Sequence, residues 1–280
     1  MILDFQKCYG VDNIFNKDCV DLSPYSFIHP WPLVMMLLKF IKNLPSQSLS
    51  LVLPKDASTK AYLKRIHLDE MFEKIGCQKE HDLFSKITMS DRDNLNIQPL
   101  ILCKYRDEFN AKLEYFLKMF RSFGLSEEDS QRATAVIGEL GNNVFDHNLG
   151  NWPTSIVGAI IAGQNYPAYK RIEITIGDPG VGFYESLTKA FPEIKNDMEA
   201  IKKGLEGNTG RVGESRGNGL KLIQKLTINN FSGQVMIHSG DGLAIVSKKG
   251  IQLSRVHKIL GTIAQFVINY NWFAYGRPTN

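Results

Sequence analysis

Residues 126–147 form the longest segment of this chain that reads as one uninterrupted element, and they constrain the fold most. Ser126 lies three residues before Asp129, the spacing of a capping box with Asp in place of the usual Glu or Gln. Glu127, Glu128 and Asp129 put carboxylates at the positive end of the helix dipole. Ile137, Leu140 and Val144 supply a core-facing stripe. Downstream, residues 171–177 (RIEITIG) alternate as a half-buried strand does. Residues 234–238 and 243–247 read as strands paired through Ser239-Gly240-Asp241-Gly242, and residues 262–270 as a last strand. A capped helix set among several strands predicts an α/β chain.

Upstream, residues 24–44 hold an apolar, helix-like run with Pro30 and Pro32 at its start, where proline is tolerated. Residues 48–53 (SLSLVL) alternate as a strand, and residues 61–75 are amphipathic and end at Gly76. These features predict a small α/β unit over residues 1–95, with the polar segment 90–99 as a linker and a second unit over residues 100–280. Charged residues are 22% and hydrophobic ones 43%, which argues against a disordered tail, a collagen-like repeat and a coiled coil. The excess of 33 basic over 29 acidic residues, +4, is too small to imply a nucleic-acid partner. The longest apolar run, residues 32–38, stops at Lys39, far short of the ~20 residues a bilayer requires. The start MILDFQKCYG is not a signal peptide, and Cys8, Cys19, Cys77 and Cys103 have no metal-binding spacing. A cytoplasmic protein with free thiols, and no membrane association, is expected.

Three motifs carry chemistry. On the long helix, Glu139, Asn143 and His147 are spaced four and four; at about 100° per residue they share one face. A carboxylate and a carboxamide one turn apart can hold a hard cation and orient a water; a solvated polar face has the same pattern. Directly after RIEITIG stands Asp178-Pro179-Gly180-Val181-Gly182. A carboxylate at a strand end can accept from an amino group, and two glycines let a flat ligand approach the backbone; an ordinary turn reads the same way. The third is Gly213-Glu214-Ser215-Arg216-Gly217-Asn218-Gly219-Leu220-Lys221-Leu222, glycines ahead of a helix whose free amides can bind phosphate. It is neither a Walker motif nor a Rossmann fingerprint.

Together, in this order, the motifs resemble those of the GHKL superfamily of gyrase-type topoisomerases, ninety-kilodalton heat-shock chaperones, histidine kinases and MutL. Glu139, Asn143 and His147 resemble its asparagine box, Asp178-x-Gly180-x-Gly182 its first glycine box, Gly217-x-Gly219-Leu220-x-Leu222 its second, and Gly261-Thr262 its closing Gly-Thr pair. The resemblance covers about residues 105–270 and implies an α+β two-layer sandwich with a mixed sheet and helices on one face. It implies that Asp178, with Gly180 and Gly182, binds adenine; that Asn143 binds Mg²⁺ bridging the phosphates; and that Glu139 is the general base. Arg216, Gly217, Gly219 and Leu220 would cradle phosphate, Thr262 would lie near the adenine, and residues 183–218 would be a lid over ATP.

Within the superfamily, residues 125–148 look most like the anti-sigma-factor serine kinases and their stand-alone bacterial relatives. A sensor kinase would carry a phosphoacceptor His on a long helical hairpin; His81-Asp82 lies in a short segment. The chaperone and topoisomerase machines carry a long transducer, and ten residues follow Tyr270. The resemblance implies Mg²⁺-dependent ATP binding with either ATP hydrolysis or transfer to a Ser or Thr of a STAS-like or sigma-factor-type partner, in a bacterial regulatory switch. An ATP-gated interaction module with little turnover is the alternative. The 1–95 unit is expected to be STAS-like or partner-binding, and a homodimer is left open.

Overall fold

The structure is a computed structural model, and it describes residues 1–10, 13–88, 96–148, 150–208 and 219–270. The first part of the chain contributes short strands β1 (Ile2–Leu3), β2 (Cys19–Asp21), β3 (Phe27–Ile28) and β4 (Ser50–Val52). With them are helices α1 (Pro30–Asn43), α2 (Ala57–Arg65), α3 (Leu68–Lys74) and α4 (Gln78–Asp82). The remainder supplies strands β5 (Ile97–Cys103), β6 (Ala159–Tyr166), β7 (Arg171–Asp178), β8 (Gln234–Ser239), β9 (Gly242–Ser247), β10 (Gly250–Arg255) and β11 (Thr262–Asn269). Its helices are α5 (Arg106–Ala111), α6 (Leu113–Ser122), α7 (Glu127–Asn148), α8 (Gly182–Thr188), α9 (Asp197–Leu205) and α10 (Gly219–Lys225).

Strands β5 to β11 form one sheet in the order β10-β9-β8-β11-β7-β6-β5. Every ladder in it is antiparallel, which corrects the expectation of a mixed sheet. The reason is topological. β7 and β8 do run in the same direction, joined by a long connection that carries helices, but β11 lies between them and runs against both. The motif-bearing ends of three strands are thereby set side by side: Thr262 is opposite Asp178 on one flank and Ser239 on the other.

Alternation along the strands fills two layers. Ile172, Ile174 and Ile176 of β7, with Ala264, Phe266 and Ile268 of β11, face α6 and α7. The capping hydroxyl of Ser126 accepts from Asp129 N at 3.1 Å, and α7 then runs unbroken to Asn148. The helices from α5 to α10 pack on this face, giving the α+β sandwich. The opposite face is covered as well. Ile160, Ala162, Met236, Ile263 and Val267 share a core with the apolar residues of the first part of the chain. Helix α1 lies on it, buried from Pro30 through Leu38 and so apolar all round.

That second interface also contains polar groups. His29 Nδ1 lies 2.9 Å from Glu173 Oε2, and Arg171 Nη2 2.6 Å from Glu173 Oε1, so the buried carboxylate is paired. The Tyr9 hydroxyl lies 2.8 Å from His238 Nδ1, while His238 Nε2 faces the carbonyls of His257 at 3.0 Å and Gly240 at 3.2 Å. Burial, with His257 nearby, pushes the His238 pKa down to about 3, so the ring is neutral. Its proton then sits on Nε2, which faces two acceptors, and Nδ1 accepts from the tyrosine O–H. Cys8, Cys77 and Cys103 are buried and Cys19 is partly exposed, all as free thiols. Among the described residues no helix is long and apolar enough to cross a membrane.

Candidate functional site

Asp178 ends β7, where the isoleucine-rich face meets the carboxyl end of the sheet. It is 6% exposed, and this desolvation pushes its pKa up to about 7 against two hydrogen bonds that favour the charge. Both bonds fall on Oδ1: Asn148 Nδ2 donates at 3.1 Å and Gly180 N at 2.9 Å. Oδ2 has no hydrogen-bond partner among the described residues. The Asn148 amide also donates to Val144 O at 2.7 Å and accepts from Val181 N at 2.9 Å. One buried carboxamide thus ties the end of α7 to the end of β7 and to the turn after it.

The glycines of that turn are fixed by protein neighbours. A Cβ on Gly180 would stand 2.0 Å from Asn148 Oδ1. Gly182 has φ +79°, and a Cβ there would stand 2.7 Å from Ser239 Oγ. Ser239 Oγ accepts from Phe183 N at 2.9 Å and from Thr262 Oγ1 at 3.1 Å, and donates to Gly261 O at 3.3 Å. The strand ends are therefore cross-tied in front of the sheet.

Between α7, the strand ends and α8 lies a cavity of about 680 Å³, including its open mouth. Ile176, Ile237 and Ala264 give it an apolar floor from the sheet, and Phe183 and Leu187 of α8 form another wall. Asp178, Thr262, Asn143 and His147 add polar groups. Mostly apolar walls with a few converging polar groups are the usual make-up of a small-molecule site.

The motif residues divide as follows. Asn143, His147, Asp178, Gly182, Leu220 and Thr262 line the cavity. Gly180 lies behind Asp178, against Asn148. Glu139, half-buried, lies one turn before Asn143; a Cβ on Gly219, at the start of α10, would stand 2.4 Å from Glu139 Oε2. Glu139 is not among the lining residues. His147 Nδ1 lies 3.0 Å from Ser186 Oγ and its ring packs near Phe183, so it supports α8. Arg216 and Gly217 lie outside the described residues, as does most of the expected lid from 209 to 218. Helices α8 and α9 fall within the expected lid, with Leu187, Ile194 and Ala200 as a small core of their own. Among the described residues no three His, Cys, Asp or Glu side chains gather into a metal site.

Asn148 and Ser239 were not legible as site residues. The signal for Asn148 was a carboxamide four residues beyond Val144, in the stripe where the helix otherwise buries apolar side chains. Ser239 carried none beyond its place at a strand end.

No family model matches this chain, and no curated protein matches it. Among solved structures, the histidine kinase domain from Erythrobacter litoralis EL346 blue-light activated histidine kinase is similar over 84% of this chain and 93% of that chain. The sequence identity is 10% and the TM-score 0.31, a likeness that bears on neither activity nor ligand.

Proposed function

We propose that residues 100–280 are a GHKL-type ATP-binding domain, with the adenine seated in the cavity in front of β7, β8 and β11. One observation carries the reading. A buried carboxylate, Asp178, lines an apolar cavity with one oxygen held by Asn148 and Gly180 and the other without a partner among the described residues. Such an oxygen suits an amino group on a flat heterocycle, and Thr262 lies beside it across the ladder. Asn143, which lines the same cavity, is the residue that would hold Mg²⁺ together with phosphate oxygens. Mg²⁺ would supply charge neutralisation at the phosphates. The amino-terminal end of α10, beginning at Gly219, would face them.

Turnover by hydrolysis or by transfer to a protein Ser or Thr rests on Glu139 as base. A second reading, in which ATP gates a protein contact and turns over little, needs no base at this position. In either case the partner would be a regulatory protein of the STAS-like or sigma-factor type.

Calorimetry with ATP and Mg²⁺, repeated in EDTA, tests the binding. Asp178→Asn is expected to weaken ATP by about 1.5–3 kcal/mol, the range for a hydrogen bond to a charged group. Unchanged affinity in that variant, or no binding by the wild type, rejects the assignment. Labelled ATP then separates the reactions: label on protein marks a kinase, free phosphate an ATPase, and neither a gated binder.

A further inference from the structure

The last turn of α1 and the turn from α3 into α4 enclose a second cavity, in the first part of the chain, that shares no residue with the one in front of β7. Phe40, Leu49 and Cys77 are its buried, mostly apolar floor, and Gln47, Gln78 and Lys79 stand exposed at its rim. One charged side chain in its lining has no partner. Glu80 is 9% exposed, and among the described residues it makes no hydrogen bond and no ion pair. The two other buried acidic side chains among the described residues are both compensated. Glu173 pairs with His29 and Arg171, and Asp178 accepts from Asn148 and Gly180.

The surroundings of Glu80 carry the same sign. Burial, together with the Glu80 carboxylate, pushes the Cys77 thiol up to about 12, so it stays an uncharged S–H and offers no counter-charge. Asn43 Nδ2 donates to Lys39 O at 2.8 Å, which turns Oδ1 of the carboxamide outward as a second acceptor without a partner among the described residues. The fourteen-residue helix α1 ends at Asn43, so the negative end of its dipole lies beside the cavity as well. A buried carboxylate left unpaired opposes folding, and a bound cation offsets that cost.

We infer that this cavity binds a primary ammonium group carried on a short aliphatic chain, with Glu80 as its counter-ion. The ammonium supplies donors for the Glu80 carboxylate and for Asn43 Oδ1, and the chain lies on Phe40 and Leu49. A hard metal ion asks for six or more oxygen ligands, whereas here a single carboxylate stands over an apolar floor. An anion is opposed by Glu80 itself. A free alkylamine and the lysine side chain of a partner protein present the same chemistry.

The test uses the full chain and follows its amide resonances during titration with n-pentylamine, its neutral counterpart n-pentanol, and lysine capped at both backbone ends. Saturable shifts confined to residues 40–49 and 76–82 are expected with the amine, at an affinity of about 1–10 mM for a ligand of so few atoms. n-Pentanol should bind at least about tenfold more weakly, and Glu80→Gln should lose about tenfold in affinity for the amine. Without amine, Glu80→Gln should unfold at the same urea concentration as wild type or a higher one, since it removes an unpaired buried charge. Tighter binding of n-pentylamine than of capped lysine supports the inference with a free amine as the source, and the reverse supports it with a protein side chain. The inference is overturned by no saturable shifts at these residues, by equal binding of n-pentanol, by undiminished amine binding in Glu80→Gln, or by a lower unfolding midpoint in that variant, which would make the carboxylate structural.

Discussion

The Asn148 carboxamide donates to the Asp178 carboxylate at 3.1 Å while leaving no room for a side chain on Gly180. The helix end and the turn glycine are therefore one unit. Asn148→Ala removes a donor from a buried carboxylate and should cost about 1–3 kcal/mol of stability. Gly180→Ala should also destabilise, because its Cβ would fall 2.0 Å from Asn148 Oδ1. In the Asn148→Ala background that clash is gone. Urea unfolding of both single variants and the double should give a coupling of about 1 kcal/mol or more, with the glycine substitution milder in the double. Additive effects would mean the two residues do not share this contact.

Two buried titratable groups give stability opposite slopes with pH. Asp178 has a folded pKa near 7 against a usual 3.8, so the folded state holds its proton more tightly and stability falls as pH rises from about 4 to 7. His238 has a folded pKa near 3 against a usual 6.5, so the folded state resists protonation and stability falls as pH drops from about 6.5 to 3. The windows overlap between about pH 4 and 6.5, and there the two effects offset each other. One pKa unit is worth about 1.4 kcal/mol, so each slope is measurable alone. Relative to wild type, Asp178→Asn should gain stability as pH rises from 5 to 8. His238→Gln should lose its relative disadvantage as pH falls from 6.5 to 4. Denaturant midpoints of the three proteins across that range decide it; parallel profiles would refute both assignments.

Glycines with positive φ offer a graded comparison. Gly76 (φ +83°) has nothing within 4 Å of a would-be Cβ, Gly182 (φ +79°) has the Ser239 hydroxyl at 2.7 Å, and Gly261 (φ +67°) has Asp178 O at 1.8 Å. Alanine at the first meets only left-handed strain, about 1–2 kcal/mol. At the second it also pushes a side chain, and at the third it meets backbone at the joint between β11 and β7. Thermal unfolding should rank the losses Gly76, Gly182, Gly261 in rising order. A Gly261→Ala variant as stable as Gly76→Ala would contradict the close approach.

What the sequence made legible was local. The cap at Ser126, the alternation ending at Asp178 and the hairpin through Gly240 each depend on residues a few positions apart, and each was found. The antiparallel character of the sheet was not, because it depends on β11 entering between β7 and β8, pairings across 23 to 98 residues that no local pattern encodes. Asn143 and Thr262 were read as site residues and do line the cavity. Gly180 was read as room for a ligand, yet its neighbour is Asn148, since a missing side chain in sequence does not say which atom fills the space. The covering of the second sheet face by α1 was also hidden: the segment's all-round apolar character said that it was buried, and nothing in it said against what.

Glu139 and Asn143 occupy successive turns of one helix face, yet the proposed roles separate them. Both approach the start of α10: a Cβ on Gly219 would stand 2.4 Å from Glu139 Oε2 and 4.0 Å from Asn143 Oδ1, and Asn143 also lines the cavity. If ATP is turned over, a base contributes about 10²–10⁴-fold to the rate and little to ground-state affinity. Glu139→Ala should then keep ATP binding and lose nearly all phosphate release or transfer, and binding can tighten, since a negative charge near the phosphates is gone. Asn143→Ala should weaken Mg²⁺–ATP itself, and the loss should vanish when ATP is titrated in EDTA. Both variants need affinity and rate measured on one preparation, with circular dichroism confirming the fold. Wild-type turnover in Glu139→Ala would remove the carboxylate from the chemistry. The domain would then act by binding ATP.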